Sequence, residues 1–125
     1  MKDLTDIALQ IEKIYKYLVQ RYDEKDGTIL TERITNLNVA LARSAELLAD
    51  AEYYLNKKKG LESGKIYENE RLSKLKPTEI KFLLDGKTAD EQRVYKQCER
   101  LNRAITHQLE GLRTQLSYLK SLPNY

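Results

Sequence analysis

The chain has 125 residues, of which 33% are charged and 41% hydrophobic, and its 22 basic and 19 acidic residues leave a net charge of +3. A chain of this length can bury roughly two thirds of the surface that it exposes when unfolded. The composition is that of a folded helical protein and excludes a disordered one. We therefore expect a single domain over residues 1–125. The net charge is too small to indicate nucleic-acid binding by itself, so the distribution of charge matters more.

The only cysteine, Cys98, excludes an internal disulfide and any zinc site built on cysteines. Its position among regularly spaced apolar residues predicts a small buried hydrophobic side chain. No apolar run reaches the eighteen or so residues that a membrane span requires. The segment Met1–Asp6 is acidic and polar, unlike a signal peptide. We expect a cytoplasmic protein that does not enter a membrane.

The first predicted helix runs from about Leu4 to Tyr22, with Asp3 or Thr5 as its N-terminal cap. Apolar residues recur in it at spacings of three and four, which is the pattern of an amphipathic helix. They are Leu4, Ile7, Ile11, Ile14 and Leu18. The polar segment Asp23–Gly27 predicts a turn after this helix.

The second predicted helix begins near Thr28 or Thr31 and ends at Lys59, where Gly60 is expected to adopt the left-handed C-terminal conformation. Its apolar stripe comprises Leu30, Ile34, Leu37, Leu41, Ser44, Leu48, Ala51 and Leu55. Further apolar residues beside this stripe widen the apolar arc to roughly 140°. A helix with so wide an apolar arc contacts two neighbours, so we expect it to be central.

Glycine and proline interrupt the segment 60–87, which predicts only short helical pieces. We expect about one helical turn near residues 67–75. A short helix is predicted to open at Pro77, a favoured first position, and to stop at Asp85 and Gly86.

The last predicted helix begins with the capping box Thr88–Glu91 and ends at about Leu122. Its apolar stripe comprises Val94, Cys98, Leu101, Ile105, Leu109, Leu112, Leu116 and Leu119. This stripe spans only about 80°, so we expect the helix to lie at one side of the fold with most of its circumference in water.

These elements predict an all-α fold, an elongated antiparallel helical bundle with three main helices and a short helical connection. The first helix, at roughly 28 Å, covers only part of the hairpin formed by the two longer helices. The rest of the apolar seam must be covered by the segment 60–87 or by another subunit. We therefore expect a homo-oligomer.

Basic residues recur at spacings of three and four on the last helix, on the flank away from its apolar stripe. This basic row consists of Arg93, Lys96, Arg100, Arg103 and His107. It extends roughly 20 Å and contains no acid, so it could follow phosphates or meet an acidic protein surface. Tyr118 lies near the same arc, and the helix-interior Gly111 there suggests a close approach. The alternatives are a solvated face or pairing with Glu46 and Asp50 of the second helix.

The chain has nine tyrosines and one phenylalanine. Tyrosine suits binding surfaces and base stacking, and it also serves at the edges of cores. Tyr15, Tyr22 and Tyr54 lie near apolar stripes and are interpreted as core-edge residues. Tyr17, Tyr53 and Tyr95 fall off the stripes and are the better surface candidates.

The sequence contains few residues that could form a catalytic or metal-binding site. His107 is the only histidine, no Glu-x-x-His pair occurs, and the five glycines do not form a phosphate loop. The segment Asp23–Ile29 fails as a calcium loop, because Tyr22 and Arg33 fall at positions that need carboxylates. We predict no catalytic residue, no metal and no cofactor.

The segments 101–109 and 112–120 of the last helix resemble the C-terminal helix of small helical accessory proteins of tailed phages and prophages. The stretch from Leu37 to Leu55 is compatible with this resemblance. The resemblance implies a phage or mobile-element accessory protein. That class includes inhibitors of host defence and helpers of DNA recombination.

The sequence thus favours a non-enzymatic protein that binds a macromolecular partner. The predicted contact residues are Arg93, Lys96, Arg100, Arg103, His107 and Tyr118. The modest net charge favours a protein partner, such as a host-defence protein that is inhibited. The alternatives are a nucleic-acid-binding accessory factor in recombination or replication, and an oligomer that binds a nucleotide between subunits.

Overall fold

The computed structural model of the protein describes residues 3–123, which contain helices and no strand. The elements are α1 (Leu4–Leu18), α2 (Gly27–Glu68), a 3-10 turn (Leu72–Lys74), α3 (Pro77–Lys87) and α4 (Ala89–Ser121). The predicted all-α bundle with three main helices and a short helical connection is confirmed.

The two long helices, α2 and α4, form an antiparallel hairpin. Arg33 near the start of α2 hydrogen-bonds Gln108 near the end of α4, while Ser44 further along α2 accepts a hydrogen bond from the earlier residue Asn102. The helix α1 packs against both partners. Its last residue, Leu18, lies beside Gln108, and its first residue, Leu4, lines a groove together with Asp90 at the start of α4. The helix α1 therefore runs in the same direction as α4 and antiparallel to α2.

The predicted apolar stripes form the core where the three helices meet. The core residues are Ile7, Ile11, Leu18, Leu30, Leu37, Leu47, Ala51, Val94, Cys98, Leu101, Ile105, Leu109, Leu112 and Leu119. The predicted burial of Cys98 is confirmed, and burial raises the pKa of its thiol to about 11. The thiol is therefore protonated at neutral pH, and a protonated thiol is a poor nucleophile.

The predicted end of α2 at Lys59 is wrong. The helix continues through Gly60 and Gly64 to Glu68, and no described glycine has a positive φ angle. Each glycine inside a helix costs about 1 kcal/mol relative to alanine, so the cost of the two is about matched by the burial of one isoleucine side chain. Ile66 is fully buried in this added length. Packing of the later chain against the end of α2 thus decides where the helix stops.

The predicted capping box at the start of α4 is also not formed. The Thr88 hydroxyl donates to the carbonyl oxygen of Leu84 at 2.9 Å, and the Thr88 amide donates to the same oxygen at 3.1 Å. Thr88 is fully buried and its backbone is not in the extended cap conformation. As a result α3 runs through Gly86 to Lys87, and only Thr88 separates it from α4.

The segment after α2 folds back along the far end of that helix. The 3-10 turn and α3 both pack against α2, and the Lys87 ammonium lies 3.7 Å from the Glu62 carboxylate. The turn expected near residues 67–75 is this 3-10 turn. The segment 60–87 therefore covers the distal part of the apolar seam. The sequence alone allowed either this segment or another subunit to cover it.

A buried arginine joins the end of α1 to the two long helices. Arg33 is 5% exposed, and its Nη2 atom donates to the carbonyl oxygens of Tyr17 and Leu18, each at 2.9 Å. Its Nε atom donates to Oε1 of Gln108 at 2.8 Å, and the ring of Tyr22 lies 4.3 Å from the guanidinium carbon. Carbonyls at a helix C-terminus lack helical partners and form its negative end. The Arg33 guanidinium therefore satisfies these carbonyl oxygens, and α1 ends at Leu18 instead of at the predicted Tyr22.

We expect the substitution Arg33→Met to lower the free energy of unfolding by about 3 kcal/mol, because it removes charged donors from buried acceptors. Urea denaturation followed by circular dichroism measures this change. Arg43→Met, at an exposed position of the same helix, is the matched control and should stay within about 0.5 kcal/mol of the wild type. Equal loss in the two variants would contradict the role of Arg33.

Candidate partner-binding surface

The predicted contact residues all lie exposed along one flank of α4. They are Arg93, Lys96, Arg100, Arg103, His107 and Tyr118. The opposite side of the helix is fixed in the core, so the five basic residues keep a helical spacing over about 21 Å. Within residues 3–123, none of these five basic side chains forms a hydrogen bond or salt bridge. Tyr118 is 58% exposed and lies beyond His107 on the same flank.

Among residues 3–123, no salt bridge joins the basic row to Glu46, one of the acids of α2 considered as an alternative partner. Other residues of α4 face that helix instead. Asn102 donates to the Ser44 hydroxyl at 3.0 Å. The charge of Glu99, together with burial and the charge of Glu52 on α2, raises the pKa of Tyr95. The row therefore points away from the hairpin partner.

A groove of about 890 Å³ runs between α1 and the first half of α4. On α1 it is lined by Leu4, Thr5, Ala8, Ile11, Glu12 and Tyr15, and on α4 by Asp90, Arg93, Val94, Gln97, Arg100, Leu101 and Ala104. We call it the α1–α4 groove. Two members of the basic row, Arg93 and Arg100, lie along it, so the row forms one rim of the groove. The sequence does not reveal this groove, because nothing in the local pattern shows that α1 and α4 are neighbours.

The floor of the groove is apolar and its two rims differ in charge. Ile11, Val94 and Leu101 belong to the core and form the floor. On the α1 rim, the Glu12 carboxylate lies 3.3 Å from the Lys16 ammonium, in a salt bridge between exposed side chains. Such pairs contribute little to stability, yet they offset a local negative charge. The α4 rim carries Arg93 and Arg100, neither of which is in a salt bridge with another described residue, and Asp90 at its start.

The tyrosines divide differently from the prediction. Tyr15, expected at the core edge, is 55% exposed at the rim of the groove. Tyr17 and Tyr95, expected on the surface, pack against the core, and the ring of Tyr17 lies 4.7 Å from the Arg33 guanidinium carbon. Tyr17 is partly buried because the last turn of α1 holds Arg33. Tyr95 instead lies on the side of α4 that is near Glu52 of α2.

The remaining tyrosines agree with the prediction. Tyr22 and Tyr54 pack against the core, while Tyr53 is exposed. The expectation of a close approach at Gly111 is wrong, because a Cβ atom added there would meet nothing within 4 Å.

A second buried charge, Glu62, joins the far end of α2 to α3. Its carboxylate lies 3.6 Å from the Lys58 ammonium, 3.5 Å from that of Lys65 and 3.7 Å from that of Lys87, and the residue is 6% exposed. Burial raises the pKa of Glu62, but the charges and hydrogen bond of the lysines outweigh burial and leave its pKa below the usual value. The spacing of Lys58, Glu62 and Lys65 is visible in the sequence, whereas Lys87 comes close only through folding.

The described residues offer little that could act as a catalytic centre. Within residues 3–123, no three His, Cys, Asp or Glu side chains are grouped so that they could hold a metal. Cys98 is buried, and His107 stands alone on the exposed flank. None of the described helices combines the length and apolar character needed to cross a membrane.

The chain matches no protein family, no curated protein and no solved structure. The basic row and the α1–α4 groove are therefore the features that indicate a function.

We expect the substitution Glu62→Gln to reduce stability at pH 7 and to weaken its dependence on acid. The pKa of Glu62 is lowered in the folded protein, so its contribution is present above the unfolded value of about 4.5 and is lost as the pH falls through the folded value. The free energies of unfolding of wild type and variant should therefore converge between pH 5 and roughly pH 3. Urea denaturation at several pH values measures this.

Glu68→Gln, at an exposed position of the same helix, is the control for loss of one carboxylate. It should match the wild type across the pH range. A difference between Glu62→Gln and wild type that persists unchanged at pH 3 would show that the lysines do not act through the charge of Glu62.

Proposed function

We propose that this protein is a non-enzymatic accessory protein of a phage or mobile element that works in the cytoplasm. It binds an acidic surface of a partner protein through the basic row of α4 and thereby inhibits a host-defence protein. The observation that carries the proposal is the basic row itself: five exposed basic residues on one flank of a helix, none of which takes part in a salt bridge within residues 3–123.

The chemistry of the row suits carboxylates. Arginine presents a planar fork of donors that matches a carboxylate, and three of the five residues are arginines. Because α4 is anchored in the core by its other side, the cations are already spaced before the partner arrives. A fixed patch of one sign speeds the encounter with a surface of the opposite sign. Tyr118 adds an exposed aromatic ring beside the row, of the kind that often dominates binding energy.

The α1–α4 groove beside the basic row favours a protein partner over nucleic acid. Arg93 and Arg100 form the rim of a groove with an apolar floor. A phosphate backbone has no apolar group that would fill this floor, whereas a protein surface does. The net charge of +3 is also low for a protein dedicated to nucleic acid.

We expect simultaneous reversal of Arg93, Arg100 and Arg103 to Glu to abolish partner capture while leaving helicity unchanged. The measurement is affinity purification from cells that express tagged protein, with and without nuclease, and circular dichroism of the purified variant. A protein partner should be recovered by the wild type after nuclease treatment and lost from the variant. The reason is that three charges change sign at the contact surface, which shifts its net charge by about six units, while the core is untouched.

The matched control reverses Lys13, Arg43 and Lys81, three exposed cations on α1, α2 and α3 that lie outside the row. It alters the net charge equally and should retain the partner. Loss of the partner from both variants would show that only bulk charge matters. If recovery disappears with nuclease, and DNA affinity falls by about one power of salt concentration for each neutralised phosphate, the alternative of a nucleic-acid-binding factor replaces this proposal.

We also propose that the chain self-associates through apolar side chains that its own fold leaves exposed. Large apolar side chains remain exposed along α2 and α3, among them Leu61 and Phe82.

Light scattering at micromolar concentration should therefore give at least twice the 14.6 kDa of one chain. The physical reason is that covering exposed apolar side chains with a second copy removes them from water and so lowers the free energy. The same measurement at high salt serves as the control, since association through apolar contacts persists there. A mass of one chain at both salt concentrations would remove this proposal.

A further inference from the structure

We infer that the α1–α4 groove receives an amphipathic helix of the protein partner, whose acidic flank lies against Arg93 and Arg100. This inference rests on the proposed function, since it assumes that the basic row contacts a protein. It goes further by assigning the secondary structure, length and charge pattern of the segment that binds.

The shape of the groove suits a helix. Its walls are two helices that run side by side in the same direction, with the third side open. From Leu4 to Tyr15 the α1 wall rises about 16 Å, and from Asp90 to Ala104 the α4 wall rises about 21 Å. This length corresponds to three or four helical turns. An amphipathic helix laid in such a trough places residues at spacings of three, four and seven on the floor.

The size of the side chains along the walls leaves room for that helix. Ala8 on α1 and Ala104 on α4 both line the groove and are the small residues of its walls. Below them the core residues Ile11 and Leu101 offer an apolar floor. Tyr15 stands exposed at one end, where its ring can cover an apolar side chain of the bound helix.

The rims fix where the acids of the bound helix must lie. Arg93 and Arg100 are seven residues apart on α4, which places them about 10 Å apart along one side of the groove. Two acids seven residues apart on the partner helix reach both guanidinium groups together. Across the groove, Glu12 already pairs with Lys16. The bound helix is therefore acidic on its α4 side and needs no charge on its α1 side.

A designed peptide of about 14 residues tests the inference directly, since it matches the length of the groove. It carries leucines at spacings of three and four on one face and two glutamates seven residues apart on the flank. Two control peptides have lysine in place of the two glutamates, or the same composition in scrambled order. Fluorescence anisotropy of labelled peptides measures binding to the full-length protein. The acidic amphipathic peptide should bind saturably and about tenfold or more tighter than either control.

Protein variants then locate the site. Ala8→Gln fills the groove and should weaken the peptide about tenfold, whereas Ala45→Gln, at an exposed position of α2 outside the groove, should leave it unchanged. Replacing Arg93 and Arg100 together by Gln should remove the preference for glutamate over lysine while some binding of both peptides remains.

The inference is overturned if the acidic peptide does not bind, or binds no better than its controls, or binds Ala8→Gln as tightly as the wild type. It is also overturned if oleate saturates the groove while no peptide binds, because the occupant is then a small anionic amphiphile. A fall to single-chain mass in Ala8→Gln would make a second copy the occupant instead.

Failure of this inference and failure of the proposed function are distinguishable. If reversal of the basic row abolishes partner capture but Ala8→Gln does not, the row binds the partner without the groove. If the peptide binds as expected but reversal of the row leaves capture intact, the groove is a binding site and the proposed role of the row is wrong.

Discussion

The arrangement of the three main helices depends on one buried cation. A helix of 15 residues such as α1 is marginal by itself, and burying a guanidinium is unfavourable unless its donors are satisfied. Arg33 meets both requirements at once, since its donors reach the carbonyl oxygens at the end of α1 and the side chain of Gln108 on α4. Gln108 in turn donates to Leu18 at 2.9 Å. The end of α1 can therefore sit at only one level along the hairpin.

This fixed level creates the α1–α4 groove. Since α1 ends beside Gln108 and runs in the same direction as α4, its earlier turns lie beside the first half of α4, where the basic row begins. The buried pair of Ser44 and Asn102 holds the hairpin in register at a second level. Polar contacts inside a helical bundle can fix register in this way at some cost in stability. A shift of α4 by one helical turn along α2 would break the hydrogen bond between Ser44 and Asn102. It would also move Arg93 away from the groove.

Different contacts stabilise the two ends of the molecule, and neither set of contacts covers the basic flank of α4. At the far end, the salt bridge between Glu62 and Lys87 joins α3 to α2, so the chain covers its own seam. At the near end, α1 covers one side of α4 and α2 covers another. The flank of Arg93 to His107 stays exposed, with Arg93 and Arg100 at the rim of the α1–α4 groove. The position of the proposed binding surface thus follows from which sides of α4 its neighbours occupy.

The sequence by itself determined the helical class, the buried stripes with Cys98, and the exposure of the basic row. Each of these depends on spacing within one helix, which local periodicity shows directly. Only the tertiary structure decided that α1 stops at Leu18, that α2 passes Gly60, that Thr88 bonds backward to Leu84, and that Tyr15 lies exposed beside a groove. Most of these outcomes depend on contacts between residues far apart in sequence, such as Gln108 with Leu18. Such contacts exist only once packing has chosen which helices are neighbours, so no local pattern contains them.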